Sequence, residues 1–360
     1  MGYFNSMLKN KIIVDYRWSG KSGIGRHVDF FLEYLLAAGF FKEILLLKSP
    51  HQKIKREILD DIRVDCININ SKLYSISEQF EIPLKIPKKE YLFWSPNYNA
   101  PILIIKNKFV HIHDLAHYEM TGLVKKAYAF IFMFLNILTS KKILTVSAVT
   151  KNKLIQLFSF IKINKKIEVI YPGVTPMKIF DSQSEKNIIL SIGNIKKRKN
   201  FIVLVEAFTK LKSQMDNDLK LVIVGKKEGL NDIDHEALKY ESSDIIFSGE
   251  ISDIELQKFF SKTKLFVFPS IYEGFGIPPI EAMSMKIPVL ASRIPVFEEV
   301  YGDGAWFFDS MSSDSLFKKM RIIINSKPKA DELILNGLNQ SKKYTWSNYS
   351  KQFIRVLNES

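Results

Sequence analysis

The segment KLFVFPSIYEGFGIPPIEAMSMKIPVLASR, residues 264–293, gives the clearest indication of how this chain folds. Its first part, KLFVFPS, is a short apolar run that is typical of a buried strand. A loop with two glycines follows, and IPPIEAMSMK then predicts a helix, because paired prolines suit a first helical turn. IPVLASR is a second strand-like run. The order strand, helix, strand predicts a βαβ unit with parallel strands.

The same alternation runs through the whole chain. KIIVDYRW, KEILLLK and KKILTVS are strand-like runs of the first half, and KNIILSIGN, LKLVIVGKK and DIIFSGEIS are those of the second. Helical segments separate them, which predicts an α/β protein with two Rossmann-like, doubly wound domains. We expect one domain over residues 1–175 and another over residues 176–343, with their joint in the polar segment 173–187. A helix near residues 344–360 is expected to pack back on the first domain.

The predicted sheets also indicate where a ligand binds. In open α/β sheets, ligands lie outside the carboxyl ends of the strands. We therefore expect the functional residues in the loops that follow the strands. If the two domains face each other, these loops line one interdomain cleft.

Cysteine usage and hydropathy limit the cellular location. The single cysteine, Cys66, excludes a disulfide framework and fits a reducing compartment. No N-terminal signal is visible in MGYFNSMLKNKIIVDY, so we expect a cytoplasmic protein. The longest apolar run, residues 127–138, is shorter than the roughly 20 residues that a membrane span needs. That run predicts either a core helix or a helix at a membrane surface.

Positive charge is concentrated in the first half of the chain. Residues 1–175 contain 26 Lys and Arg against 14 Asp and Glu, which accounts for +12 of the net charge of +14. An anionic membrane face, a phosphorylated ligand and a lysine-rich codon usage each explain this charge. Nucleic acid is a further candidate partner, but no reader motif and no basic face interleaved with aromatic residues supports it, so we expect no nucleic-acid binding.

Two carboxylates flank the glycine loop of the opening segment. Glu273 precedes Gly274, Phe275 and Gly276, and Glu281 lies on the predicted helix. Such a pair suits a catalytic acid and base, a metal clamp, a grip on neighbouring hydroxyl groups, or two surface charges. Carboxylates accept from two adjacent hydroxyls at once, which suits the diols of ribose and of a sugar.

The segment SIGNIKKRKN predicts an anion site. A strand ends at Gly193 and a helix begins near Asn200, with Arg198 and Lys199 at the helix start. Cations at a helix N-terminus oppose the helix dipole. A bound diphosphate would resolve that conflict by taking the backbone N–H groups and both side chains. A solvated basic loop is the alternative.

Two segments of the first half contain further candidate residues. SGKSGIGR follows a strand and opens a helix. It fits either a plain tight turn or a binding loop in which Gly23 lets the backbone approach a ligand and Arg26 meets a phosphate or an acceptor. HIHDLAH places His113 and Asp114 directly after a strand. Three readings stay open for these histidines: a metal site, structural histidines, and polar contacts to a substrate.

Together these motifs resemble glycosyltransferase family 4, whose members are retaining enzymes of the GT-B fold. EGFGIPPIE matches the E-x(7)-E motif of that family, within a similarity that runs from Phe247 to Asp309 almost without a break. SIGNIKKRKNFIVLVEAF, TVSAVTKNKLI, VIYPGV, SGIGRHV and HIHDLAH have family counterparts as well, so the resemblance covers nearly the whole chain. Many members carry a further arginine ahead of the lysine, where this chain has Asn194 and Lys196.

The resemblance implies a role for each candidate residue. Glu281 would hold the nucleotide ribose, and Glu273 the hydroxyls of the donor sugar, beside the backbone of residues 274–276. Lys199, with Arg198, would neutralise the diphosphate. The other implied roles belong to the first domain, which would be the acceptor side: Gly23 would approach the diphosphate, and His113 would contact the donor sugar. Arg26 and Asp114 are further candidates for substrate binding.

The implied activity is transfer of a hexose from a nucleotide-diphosphate sugar. The resemblance points to GDP-mannose or a related GDP-sugar as donor, and to a saccharide acceptor that is lipid-linked, as in the synthesis of surface polysaccharide or O-antigen. Transfer from a UDP- or dTDP-sugar is the alternative. No metal or other cofactor is expected, and no Asp-x-Asp motif is visible. A peripheral contact with the inner face of the plasma membrane would fit such an acceptor.

Overall fold

The structure, a computed structural model, describes residues 11–20, 22–87, 91–105, 107–175, 186–215, 218–227 and 233–359. The chain divides into two compact units, Met1–Pro172 with Trp346–Ser360, and Gly173–Thr345. The predicted domain boundary lies after residue 175. Residues 176–185, which make up most of the predicted joint 173–187, lie outside the described ranges.

The first unit is a parallel sheet with helices between its strands. Within the described residues its strand order is β3-β2-β1-β4-β5-β6-β7, and every neighbouring pair is parallel. The strands are β1 Lys11–Asp15, β2 Glu43–Lys48, β3 Val64–Asn68, β4 Tyr91–Ser95, β5 Lys108–Ile112, β6 Lys142–Thr145 and β7 Ile167–Val169. The helices are α1 Ser22–Ala38, α2 Arg56–Leu59, α3 Glu78–Lys85, α4 Ala116–Glu119, α5 Leu123–Thr139 and α6 Ala148–Leu157.

Both faces of this sheet are covered, which explains its continuous apolar strands. On β1, the side chains of Ile12 and Val14 join one buried cluster, and that of Ile13 joins another. Successive side chains of a strand point to opposite faces, so the two clusters lie on the two sides of the sheet.

The second unit repeats this architecture. In the described part of the chain its strand order is β10-β9-β8-β11-β12-β13, again with parallel pairs throughout. The strands are β8 Ile188–Ile192, β9 Lys220–Val224, β10 Ile245–Gly249, β11 Thr263–Phe268, β12 Val289–Ser292 and β13 Trp306–Phe308. The helices are α7 Phe201–Lys212, α8 His235–Leu238, α9 Asp253–Ser261, α10 Ile277–Ser284, α11 Pro295–Tyr301, α12 Ser313–Asn325 and α13 Lys327–Ser341.

The segment 264–293 forms the predicted βαβ unit as β11, α10 and β12. Pro278 and Pro279 stand in the first turn of α10, where their missing N–H groups leave no hydrogen bond unmade. Two parallel-sheet α/β units are what the sequence predicts, and the fold class is confirmed. None of the described helices is both long enough and apolar enough to cross a membrane.

The last helix, α14 (Trp346–Asn358), belongs to the first unit. Its buried stripe, Tyr349, Phe353 and Val356, recurs at helical spacing and packs against α1. The ring of Phe353 lies edge-on to Phe31 of α1, with 4.8 Å between the centroids. The chain therefore returns to complete the core of its N-terminal unit.

We predict that Phe353→Ala lowers the free energy of unfolding of the first unit by about 3 kcal/mol or more, because it opens a cavity at a fully buried position. Lys351→Ala, an exposed change in the same helix, is the matched control and is expected to stay within about 0.5 kcal/mol of wild type. Denaturant unfolding of both variants measures this. Equal losses in the two variants would contradict the packing role of α14.

Candidate functional site

The strand order of the second unit reverses between β8 and β11. The chain runs from β8 outward to β9 and β10, and then crosses to β11 on the other side of β8. Ligands of doubly wound sheets bind at this switch point, outside the carboxyl ends of the strands. The two loops that leave it are residues 193–200 after β8 and residues 269–276 after β11.

Backbone contacts tie these two loops together. The backbone N–H of Ile271 donates to the carbonyl of Arg198 over 2.9 Å. Asn200 caps α7 in a left-handed conformation, with φ of 55°, and its amide donates to the carbonyls of Pro269 and Ser310. The short 3-10 turn Lys197–Lys199 is thereby held against the loop after β11.

The side chains of these loops form a three-residue ionic cluster. Lys199 Nζ donates to Glu273 Oε1, and Arg198 Nη1 lies 3.4 Å from Glu273 Oε2. The side chains of Lys199 and Glu273 are each 12% exposed. Burial by itself raises the pKa of Glu273, but the charges of Lys199 and Arg198 outweigh it and hold that pKa below its ordinary value. Glu273 is therefore ionised at neutral pH.

This cluster changes the interpretation of the basic loop. The two cations at the start of α7 indicated a missing anion, and in this structure the carboxylate of Glu273 supplies that negative charge. A carboxylate has about four lone-pair sites, so Glu273 can also accept from a ligand hydroxyl. The arrangement places two cationic donors beside a carboxylate with free acceptor capacity.

Two glycines lie in close contact with side chains at these loops. A Cβ on Gly193 would lie 3.1 Å from Cε of Lys199, so the lysine stem passes directly over this residue. Gly276 has φ of 87°, and a Cβ there would meet the Tyr301 hydroxyl. That hydroxyl instead donates to the carbonyl of Gly276 over 2.8 Å and fixes the start of α10.

The other candidates of this unit lie next to the cluster in the chain. Glu281 is on α10 and is 5% exposed. Gly274 and Phe275 are buried, and the Phe275 ring packs edge-on against Tyr344 at 5.2 Å between centroids. The buried Phe275 ring therefore fixes the loop to the core. Contacts of residues 274–276 with a ligand would be made by their backbone.

In the first unit, His113 follows β5 and is fixed by a backbone contact. Its Nε2 lies 2.9 Å from the carbonyl of Pro96, which can only accept, so Nε2 carries the proton. Burial lowers the pKa of His113 to about 4, although the charge of Asp114 opposes this. The ring is neutral at neutral pH, and Nδ1 is its acceptor.

Two further histidines surround His113. The rings of His27 and His111 lie 5.3 Å from it, centroid to centroid, and 5.1 Å from each other. Trp94 donates to His111 Nδ1 over 3.1 Å, and the Tyr349 hydroxyl lies 2.9 Å from His27 Nε2. Burial lowers the pKa of both His27 and His111 well below the ordinary value. The rings of His27 and His111 are therefore neutral at neutral pH, and both pack against the ring of His113.

The remaining candidates of the first unit are Asp114, Gly23 and Arg26. Asp114 Oδ1 accepts from the backbone N–H of Ala116 over 2.8 Å and so caps α4. Gly23 and Arg26 are exposed in the first turns of α1. Among the described residues, no atom lies within 4 Å of a Cβ placed on Gly23, whereas one on Gly25 would lie 2.5 Å from the Trp18 carbonyl oxygen. Gly25 is the glycine that the fold itself requires.

The described part of the chain contains no group of three or more His, Cys, Asp or Glu residues that could hold a metal ion. His111 and His117, which the sequence placed in a candidate metal site with His113, have other partners: His111 accepts from Trp94, and His117 Nδ1 lies 2.7 Å from the Tyr98 hydroxyl.

Sequence reasoning missed a buried ionic network in the first unit. Arg17, 1% exposed, donates to both oxygens of Asp15 and to Glu78 Oε2, at 2.7 to 2.8 Å. Glu78 in turn accepts from Asn99, which follows β4. Asp15 ends β1, so the network ties together the loops at the switch point of this sheet. Its only signal in the sequence is a charged pair directly after an apolar strand.

The family profile described as "Glycosyl transferases group 1" matches residues 176–340. The likeness to that family is thus carried by residues 176–340, which are just under half of the chain. The match includes Arg198, Lys199, Glu273 and Glu281, and excludes the first unit.

Curated relatives and solved structures extend this likeness. The O-antigen chain mannosyltransferase RfbU of Salmonella typhimurium is 30% identical over 238 residues, which cover 65% of this chain and 65% of the relative. The serotype-specific mannosyltransferase WbdA of Escherichia coli is 33% identical over 180 residues, which are 48% of this chain but only 22% of WbdA. The chain thus spans less than two thirds of the length of these relatives.

Among solved structures, HepE of Anabaena in complex with UDP and glucose matches with a TM-score of 0.76 and 16% identity, over 98% of this chain and all of HepE. At this identity the match shows the fold alone, and it confirms the predicted GT-B architecture. The match to the group 1 profile and the mannosyltransferase relatives support the prediction of a hexosyltransferase.

We predict that the buried histidine cluster lowers the free energy of unfolding of this protein in mild acid. An unfolded histidine takes up a proton below about pH 6.5, whereas the folded cluster stays neutral, so the unfolded state gains protons as the pH falls. His27→Gln removes one site of proton uptake in the unfolded state. The unfolding free energy of this variant should therefore fall less steeply than that of wild type between about pH 6.5 and pH 5, by up to about 1.4 kcal/mol per pH unit.

Chemical denaturation at a series of pH values measures this slope. His235→Gln removes an exposed histidine and serves as the control, for which the wild-type slope is expected. A wild-type slope in His27→Gln would contradict the assignment of a neutral, buried His27.

Proposed function

We propose that this chain transfers mannose, with retention of configuration, from GDP-mannose or a related GDP-sugar to a saccharide acceptor. The acceptor is a lipid-linked saccharide of O-antigen or related surface polysaccharide synthesis, reached from the cytoplasmic side of the membrane. The observation that carries the proposal is the pairing of Arg198 and Lys199 with Glu273 at the switch point of a unit that matches the group 1 profile. The mannosyltransferase relatives support the choice of sugar.

In this proposal, Arg198 and Lys199 bind the diphosphate of the donor. Transfer from a nucleotide-diphosphate sugar leaves negative charge on the departing phosphate, and preorganised cations in a site of low exposure stabilise that charge. The N-terminus of α7 adds its backbone N–H groups. These cations take the role that a metal ion plays in other transferases, and the proposal includes no metal.

Glu273 and Glu281 grip the hydroxyl groups of the same donor. Glu273 is held by Lys199 and Arg198 on one side, and its remaining lone pairs accept from hydroxyls of the sugar. Glu281, on α10, accepts from the ribose diol. The backbone of Gly274, Phe275 and Gly276 lies between these two carboxylates in the chain.

On the first unit, we assign His113 Nδ1 to a hydroxyl of the donor sugar, because its neutral ring presents an acceptor there. The exposed N-terminal turns of α1, with Gly23 and Arg26, are assigned to the diphosphate and the acceptor. Asp114 completes this surface and keeps its capping contact to α4.

The reaction is front-face transfer through an oxocarbenium-like state. Both glutamates are occupied with hydroxyls and cations, so neither is assigned as a covalent nucleophile. The bond from the sugar carbon to the phosphate oxygen breaks, the acceptor oxygen attacks the same face, and the departing phosphate takes the acceptor proton.

The identity of the donor is tested by a thermal-shift panel of GDP, UDP and dTDP sugars. A ligand that binds only the native state raises its melting temperature. We expect the largest shift with GDP-mannose, and transfer that persists in excess EDTA. UDP is the nucleotide in the HepE complex, and a larger shift with a UDP-sugar would replace the GDP assignment.

The ionic cluster generates a second prediction. Lys199→Ala should lower the affinity for a nucleoside diphosphate at least about tenfold, because the diphosphate contacts this cation. The affinity for the nucleoside alone should stay as in wild type. Glu273→Gln should abolish turnover and retain nucleotide binding. Isothermal titration and a transfer assay measure the two effects, and wild-type activity in either variant would refute the assignment.

A further inference from the structure

Helix α5 is apolar on both of its sides. Its inner side, with Ala129, Met133 and Ile137, is buried in the core of the first unit. Its outer side carries Val124, Ile131 and Leu138, which are 85%, 50% and 50% exposed. These three residues follow one another at intervals of seven and therefore share one face of the helix.

The exposed apolar surface continues beyond the helix. The ring of Phe134 on α5 lies 5.7 Å from that of Phe160, centroid to centroid, and Phe160 is 63% exposed. We call Val124, Ile131, Phe134, Leu138 and Phe160 the apolar face. A helix that is hydrophobic all round is normally enclosed by protein or lipid, and a contiguous exposed apolar surface marks an interaction site.

The segment that carries the apolar face is rich in lysine, and two of its lysines, Lys153 and Lys142, pair with the carboxylates of Glu119 and Glu168 at its two ends. Between Glu119 and Glu168 the sequence contains nine lysines and no Asp or Glu. Lys125 is exposed in the first turn of α5, and Lys166 Nζ donates to the carbonyl of Leu138 at its other end over 2.9 Å. Lys162, exposed, follows Phe160 by two residues. Cations thus stand at both ends of the apolar face.

We propose that the apolar face docks on an anionic lipid bilayer. Exposed apolar side chains enter the interface between headgroups and acyl chains, while lysines at the same level contact anionic headgroups. A second copy of the chain fits less well, because a symmetric contact would bring the same cationic ends together. The inference deepens the proposed function, since a membrane-bound enzyme meets a lipid-linked acceptor, but its test uses no sugar donor.

The test is co-sedimentation of the full-length chain with vesicles of phosphatidylcholine, with and without phosphatidylglycerol. We expect binding to the anionic vesicles, weakened at about 1 M salt, where the Debye length falls to about 3 Å. Ile131→Glu and Phe160→Glu are each expected to weaken binding about tenfold or more. Both replace exposed side chains, and thermal unfolding confirms that each variant is folded.

Ile254→Glu is the matched control, because it places the same charge on an exposed isoleucine of α9 in the second unit. It is expected to bind vesicles like wild type. The proposal is overturned if wild type does not sediment with anionic vesicles, if it binds neutral vesicles equally well, or if Ile131→Glu binds unchanged. A dimer in analytical ultracentrifugation that Ile131→Glu dissociates, without vesicle binding, would assign the face to a second copy instead.

Loss of vesicle binding and failure of the proposed transfer are distinguishable. Vesicle binding is measured without a nucleotide sugar, and donor binding is measured without lipid. A chain that binds GDP-mannose but ignores vesicles retains the proposed function and loses only this inference.

Discussion

Because β8 and β11 pair in parallel where the strand order reverses, the loops that follow them leave the sheet side by side. This constraint brings Lys199 and Arg198 against Glu273, although the two segments are 74 and 75 residues apart in sequence. The rest of the site depends on the same pairing: Gly193 makes room for the lysine stem, and Asn200 anchors the turn to the neighbouring loop. A parallel sheet thus supplies a charged cluster that no single segment could form.

The first unit applies the same principle to different side chains. At its switch point, between β1 and β4, Arg17 bridges Asp15 and Glu78 and fixes the surrounding loops. In the same unit, the His113 ring packs against the rings of His27 and His111. The Tyr349 hydroxyl of α14 forms a hydrogen bond with His27. The C-terminal helix therefore contacts His27, and His27 in turn contacts the candidate site residue His113.

Local sequence patterns were sufficient to predict the α/β fold and most of its strands, because apolar periodicity and glycine or proline positions act over a few residues. They missed the short strands β3 and β13 and about half of the described helices, α12 and α13 among them. They also identified Arg198, Lys199, Glu273 and His113 as candidates, since charged residues directly after strands are conspicuous. Long-range partners could not be predicted in this way. His27 and Tyr349 are 322 residues apart, and the pairing of Glu273 with the cations depends on the strand order of the folded sheet.

The central claim is that Lys199 and Arg198 hold the donor diphosphate while Glu273 holds the sugar. Calorimetric titration of GDP into wild type, Lys199→Ala, Glu273→Gln and the double variant tests it most directly. The account predicts that removing Lys199 lowers GDP affinity at least about tenfold in both the wild-type and the Glu273→Gln background, by factors that differ because the two side chains are in contact. It also predicts that Glu273→Gln alone retains GDP binding. Loss of GDP binding in Glu273→Gln to the same extent as in Lys199→Ala would contradict it.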